Sequence, residues 1–84
     1  MVTVRLFGTL RLETGVKELT AEAKNVKALY PLIIREIRAA KPDCAVTEKA
    51  LRGCLVAVNG VRVNARTRLR DGDVVFFFPA TAGG

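Results

Sequence analysis

Only one stretch of this chain carries a helical stripe long enough to cover a sheet. Val26, Leu29, Tyr30, Ile33 and Ile37 recur at helical spacing, with Lys27, Arg35, Glu36 and Arg38 largely off that line. Such a stripe is the apolar face of an amphipathic helix. Asn25 stands where an N-cap belongs, and Lys41-Pro42-Asp43 stops the run, so a helix over residues 26–40 is predicted. Pro31 lies past the first turn, where it removes a backbone hydrogen bond, and a bend near Lys27 is expected. The remaining patterned segments alternate with period two. A sheet with a single substantial helix keeps one face bare, which restricts the chain to a two-layer α+β arrangement.

The strands follow from alternation and turn chemistry. Val2, Val4 and Leu6 alternate with Thr3, Arg5 and Phe7 as a first strand. Gly8-Thr9 interrupts it, and Leu10 to Thr14 reads as an outer continuation or a short irregular piece. Gly15 marks a turn, and residues 16–23 alternate again, a second strand in hairpin with the first. Residues 44–53 are weakly patterned, with a helical turn expected around Glu48 to Leu51. Leu55 to Asn59 is an apolar strand, and Asn59-Gly60 is the strongest hairpin signal in the chain. Val61 to Asn64 returns, a loop with Leu69 tucked inward follows, and Asp71-Gly72-Asp73 turns into the strand Val74 to Phe78. Pro79 closes it, having no N–H for a ladder. This order suits the β-grasp: a mixed sheet of four to five strands, its first and last strands parallel and central, with the helix on one face. Residues 1–84 are expected to form one domain, with 79–84 as a flexible C-terminal tail.

Val74, Phe76 and Phe78 point to one side of the last strand, and Val75 and Phe77 to the other. Both sides are large and apolar, so one set packs under the helix and the other is left bare. A contiguous bare apolar patch on a small domain marks a contact site, and Phe7 on the neighbouring strand is placed to join it. The competing expectation is that the segments around Leu10 to Leu12 or Leu51 cover that side. Beyond the strand, Ala80 to Gly84 has no large side chain. The reactive group there is the Gly84 carboxylate, ionised at pH 7 with an ordinary pKa of about 3.5. It is a poor electrophile until activated, for instance as a mixed anhydride with AMP. Gly83 and Gly84 lack Cβ atoms, so a narrow channel can admit them. A frayed terminus is the plain alternative.

Composition removes several classes of function. The chain has 84 residues, no histidine and two cysteines, Cys44 and Cys54. Without histidine neither a Cys-His nor a Ser-His-Asp nucleophile can be assembled, and two cysteines so placed make no zinc site. Both read as reduced thiols, with Cys54 a small buried hydrophobe. No apolar run reaches the length of a membrane span and no signal peptide is recognisable, so the expected location is cytoplasmic, without a membrane partner. Net charge is +6, and nine of the 14 basic residues are Arg. Four of those crowd into Arg62, Arg66, Arg68 and Arg70. This field reads as a solvated face or as a contact for an acidic protein. Nucleic acid ranks below both, because no aromatic residues interleave with the arginines.

V-A-V-N-G at Val56 to Gly60, Leu69, D-G-D at Asp71 to Asp73, V-V-F-F-F-P at Val74 to Pro79 and the closing Gly83-Gly84 together resemble the MoaD/ThiS sulfur carriers, which are ubiquitin-like β-grasp proteins. The resemblance runs nearly the whole chain and is most specific over its last thirty residues. The aromatic run and the length favour the MoaD branch, the small subunit of molybdopterin synthase. The resemblance implies a cycle. A ubiquitin-activating-type enzyme adenylates Gly84 with ATP, sulfur from a donor replaces AMP, and the resulting thiocarboxylate gives up its sulfur inside the molybdopterin synthase large subunit or another acceptor enzyme. It implies no bound cofactor or metal and no catalysis by the chain alone. Gly83 and Gly84 would be the reacting end. Phe7, Val75, Phe77, Phe78, Pro79, Ala80, Thr81 and Ala82 would meet the partners. Ala80 stands where many relatives have a second proline, and many are acidic where this chain is basic. Carriers for thiamin thiazole, cysteine or a tungsten cofactor, a ubiquitin-like modifier, and a basic β-grasp module binding RNA or acidic protein therefore stay open.

Overall fold

The computed structural model describes residues 1–80. Its elements in order are β1 (Val2–Leu6), α1 (Gly8–Thr14), β2 (Glu18–Ala21), α2 (Val26–Ala40), α3 (Glu48–Arg52), β3 (Leu55–Val58), β4 (Val61–Val63) and β5 (Val74–Phe78). The strands form one mixed sheet in the order β2-β1-β5-β3-β4. β1 and β5 pair in parallel at its centre, with Val4 opposite Val75 and Leu6 opposite Phe77. The other pairings are antiparallel. This is the ubiquitin-like β-grasp.

Period-two alternation decides what the sheet buries. Val2, Val4 and Leu6 of β1, Leu19 and Ala21 of β2, Val56 of β3 and Val75 and Phe77 of β5 all turn toward α2. The α2 stripe of Val26, Leu29, Tyr30, Ile33 and Ile37 meets them. Tyr30 stands edge-on to Phe77, ring centroids 6.2 Å apart. Asn25 caps α2 by accepting from the Ala28 N–H at 2.8 Å. The helix runs from Val26 to Ala40 as one element with Pro31 inside it on the exposed side, so the proline does not end it. Among the described residues no helix is long and apolar enough to cross a membrane.

Two segments depart from expectation. Leu10 to Thr14 is neither strand nor irregular: it belongs to α1, which buries Leu10 and Thr14 one turn apart and leaves Leu12 exposed. Gly15 ends α1 in the left-handed region at φ 72°, its N–H donating to the Arg11 carbonyl, the usual geometry of a glycine C-cap. Leu10 and Leu51 both join the core with the α2 stripe, so neither covers the far side of the sheet.

Candidate functional site

On that far side, cross-strand registers bring a second set of residues together. Arg5 lies opposite both Glu18 and Phe76, Ala57 opposite Phe76 and Arg62, and Leu55 opposite Phe78. Residues directly opposite share a face, so Phe76 and Phe78 stand on the face away from α2. Phe7, just past β1, stacks on Phe78 with centroids 4.8 Å apart and interplanar angle 14°. It also touches Phe76, at 5.6 Å and 40°. Three rings therefore form one contiguous patch. Phe78 is 39% exposed and Leu55 beside it 40%.

The patch has a charged border. The Arg5 guanidinium lies 5.7 Å from the Phe7 ring centre, within cation–π reach. Its Nε sits 3.4 Å from a Glu18 carboxylate oxygen, close enough for an ion pair but without hydrogen-bond geometry. Arg62, opposite Ala57 on the edge strand, lies on the same face and is exposed.

This placement corrects one expectation. Val75 and Phe77 are not at the bare face: both are fully buried under α2, at 0% exposure. Phe76, absent from the expected contact set, takes their place beside Phe7 and Phe78. The missed signal lay in β1. Its polar members Thr3 and Arg5 mark the bare face, and in-register parallel pairing puts Val74 and Phe76 on that same side.

The patch leads directly into the start of the tail. Pro79 is half-buried and Ala80 exposed. Gly8 packs against the Pro79 ring: a Cβ on Gly8 would lie 3.3 Å from Pro79 Cγ, and its φ of 59° is one that glycine adopts freely. Thr81, Ala82, Gly83 and Gly84 lie outside the described residues. The strand feeding the tail is fixed at both ends. Its entry is held by Asn59, whose side chain accepts from the Val74 N–H at 3.0 Å. Its exit is held by the Phe77 carbonyl, which accepts from the Phe7 N–H at 3.1 Å.

Cys44 is buried and Cys54 half-buried, both as free thiols. Burial pushes the Cys54 thiol up from its ordinary pKa, and its Sγ donates to the Ala50 carbonyl at 3.4 Å. That makes it a weak nucleophile at neutral pH. Tyr30 is also pushed up by burial, partly offset by the positive charge of Arg52.

The model of the ThiS family matches residues 4–84. Among solved structures, a chain of the BexX/CysO complex from Amycolatopsis orientalis is 31% identical, the match covering 100% of both chains with a TM-score of 0.63. A chain of the complex of subunits 1 and 2 of molybdopterin-converting factor from Helicobacter pylori is 30% identical over 99% of this chain and 97% of that one, TM-score 0.59. The small archaeal modifier protein SAMP1 of Methanosarcina acetivorans shares the fold at TM-score 0.72, with 23% identity over 99% and 95% of the two chains. No curated protein matches the chain.

Proposed function

The chain belongs to the ThiS family of ubiquitin-like sulfur carriers, and from that premise we propose that Gly84 is its working residue, carrying sulfur as a C-terminal thiocarboxylate. The observation that carries this reading is the continuity of the Phe7–Phe76–Phe78 patch with the segment that leads through Pro79 to Gly83-Gly84. A partner that seats the aromatic patch receives the small-residue tail beside it. In this cycle an activating enzyme joins the Gly84 carboxylate to the AMP moiety of ATP, releasing pyrophosphate. Sulfide-level sulfur from the donor then attacks the acyl carbon and displaces AMP, giving the thiocarboxylate. The acceptor enzyme takes that sulfur, and water supplies the oxygen that restores the carboxylate. This chain contributes the docking patch and the terminus; the acids, bases and nucleotide site belong to its partners.

Molybdopterin synthesis is the destination we favour, with the large subunit of molybdopterin synthase as acceptor. The F-F-F-P run at residues 76–79 and the similarity to a chain of the molybdopterin-converting factor complex support it. The comparable similarity to a chain of the BexX/CysO complex supports a second destination, the same loaded terminus serving a different acceptor enzyme. The test is intact-mass analysis after incubation with ATP, a cognate activating enzyme and a sulfur donor. Mass should rise by the difference between one sulfur and one oxygen, and fragmentation should place it on Gly84. A chain lacking Gly84 should fold and stay unmodified; sulfur transfer by that shortened chain would refute the proposal. Supplying each acceptor enzyme in turn then separates the two destinations.

A further inference from the structure

The four clustered arginines of the sequence are not one cluster in space. Arg62 lies on the aromatic face opposite Ala57. Arg66 and Arg68 lie instead on the helix side, where the segment after β4 is stitched to the start of α2. Three backbone hydrogen bonds make the seam: Val26 N–H to the Thr67 carbonyl at 3.1 Å, Lys27 N–H to Ala65 at 2.9 Å, and Leu69 N–H to Lys24 at 2.8 Å.

Two clefts open along this seam. One, of about 510 Å³, is lined by Lys27, Tyr30, Arg52, Ala65 and Arg66. The other, of about 430 Å³, is lined by Lys24, Asn25, Arg68 and Leu69. Neither is lined by an acidic residue. Among the described residues none of these five cations forms an ion pair, whereas Arg5 on the opposite face does. The helix N-terminus cannot hold an anion here, because the N–H groups of Val26, Lys27 and Ala28 are already taken. Recognition must come from the side chains, and guanidinium forks match carboxylate geometry.

We propose that this seam is a second docking surface, separate from the aromatic patch, for an acidic segment of a partner protein. Unpaired cations spread over two clefts fit a row of carboxylates better than a single small anion. Single-stranded nucleic acid fits less well, since it binds by stacking on exposed rings. The one ring present, Tyr30, is 4% exposed and packed edge-on against Phe77. Because the sheet separates the seam, on the helix side, from the aromatic face, both surfaces can be engaged at once. The inference does not depend on the fate of Gly84.

The test is a titration of the isotope-labelled full chain with an oligoglutamate peptide, read by amide shifts. Shifts should concentrate at Lys27, Tyr30, Arg52 and Arg66 and weaken as salt rises. The double variant Arg52→Gln/Arg66→Gln should keep a folded spectrum and lose about tenfold in affinity, two charge-assisted contacts being gone. Arg11→Gln/Arg35→Gln, with the same net charge, should bind as the parent does, and so should a chain lacking Gly83 and Gly84. No binding at low salt would overturn the proposal. So would equal weakening by both double variants, which would mean that net charge alone is sensed. Tighter binding of an oligouridine RNA of matched charge, in the same salt, would overturn it in favour of nucleic acid.

Discussion

Asn59 and Asp73 hold each other across two turns, Asn59 Nδ2 donating to Asp73 Oδ1 at 2.9 Å. The contact ties the hairpin between β3 and β4 to the entry of β5. Asn59 also accepts from the Val74 N–H, while its own N–H donates to the Val74 carbonyl. The other Asp73 oxygen accepts from the Arg70 N–H at 2.8 Å. The N-G and D-G-D signatures are therefore two halves of one clamp on the strand that leads to the tail. Asn59 adopts φ 51°, a region asparagine tolerates better than most residues. Asn59→Ala should cost about 1–2 kcal/mol through lost hydrogen bonds and left-handed strain, measured by urea unfolding.

The same clamp gives a pH dependence. The Arg70 backbone N–H, and secondly the Asn59 amide, hold the Asp73 carboxyl below the usual carboxylate range. A carboxyl so depressed stabilises the fold above its unfolded pKa of about 3.9, and the contribution is lost as pH falls through the lower folded value. Unfolding midpoints of the parent should drop in that acid window. Asp73→Asn should lower the midpoint at neutral pH and narrow the gap to the parent as the solution is acidified. A gap that stays constant to strongly acid pH would contradict the assignment.

Phe77 and Phe78 are neighbours with opposite roles. Phe77 is wholly buried against Tyr30, and Phe77→Ala should cost about 3–5 kcal/mol, a large share of the roughly 5–15 kcal/mol that holds a domain together. Phe78→Ser loses mainly the stack on Phe7, about 1 kcal/mol, and should leave a folded chain. Its effect should fall instead on partner binding, at least tenfold, or about 1.4 kcal/mol. Thermal unfolding and calorimetric binding to the acceptor enzyme separate the two. A Phe78 variant that binds normally would remove the aromatic patch from the docking surface.

Gly8 fixes where the tail starts. Alanine there meets the Pro79 ring and must hold φ 59°, so Gly8→Ala should cost about 1–2 kcal/mol. Because the close neighbour is Pro79, amide shifts should change at Ala80 as well as in α1. Gly15, also at positive φ but with open space around it, is the control. Gly15→Ala should lower stability without disturbing Ala80.

How much of this was legible depended on local contrast. The α2 stripe, its Asn25 cap and the two turn signatures are short-range patterns, and each marks its element within a residue or two. The face of β5 was not legible from β5 itself. V-V-F-F-F has no polar member, so alternation cannot say which side is wet. That information sits in β1, in Thr3 and Arg5, and reaches β5 only through a parallel register spanning some seventy residues. α1 was hidden for another reason. Seven residues with only Leu10 and Thr14 buried give one helical repeat, too little to outweigh the alternating reading of Leu10 and Leu12. The arginine cluster divides because its first member lies on a strand and the rest follow in a loop, where spacing along the chain no longer reports direction.

Pro31 is the place where local propensity and the fold disagree most openly. It sits in the sixth position of α2, exposed, with the buried stripe continuing through Leu29, Tyr30 and Ile33 on the other side. Proline there offers no N–H to the Lys27 carbonyl and crowds it, an intrinsic penalty near 3 kcal/mol in a helix interior. Packing of the stripe against the sheet outweighs that penalty, because each buried aliphatic or aromatic side chain contributes about 1.5–3 kcal/mol. Proline also restricts the unfolded chain, which returns about 0.4–1 kcal/mol. The balance favours replacement, so Pro31→Ala should raise stability by about 2–2.6 kcal/mol, seen as a higher urea midpoint with an unchanged slope. Pro31 lines neither seam cleft and is no part of the Phe7–Phe76–Phe78 patch, so partner affinity should stay as it is. A destabilised Pro31→Ala variant would mean that the helix needs its break there, with the Lys27 carbonyl engaged elsewhere.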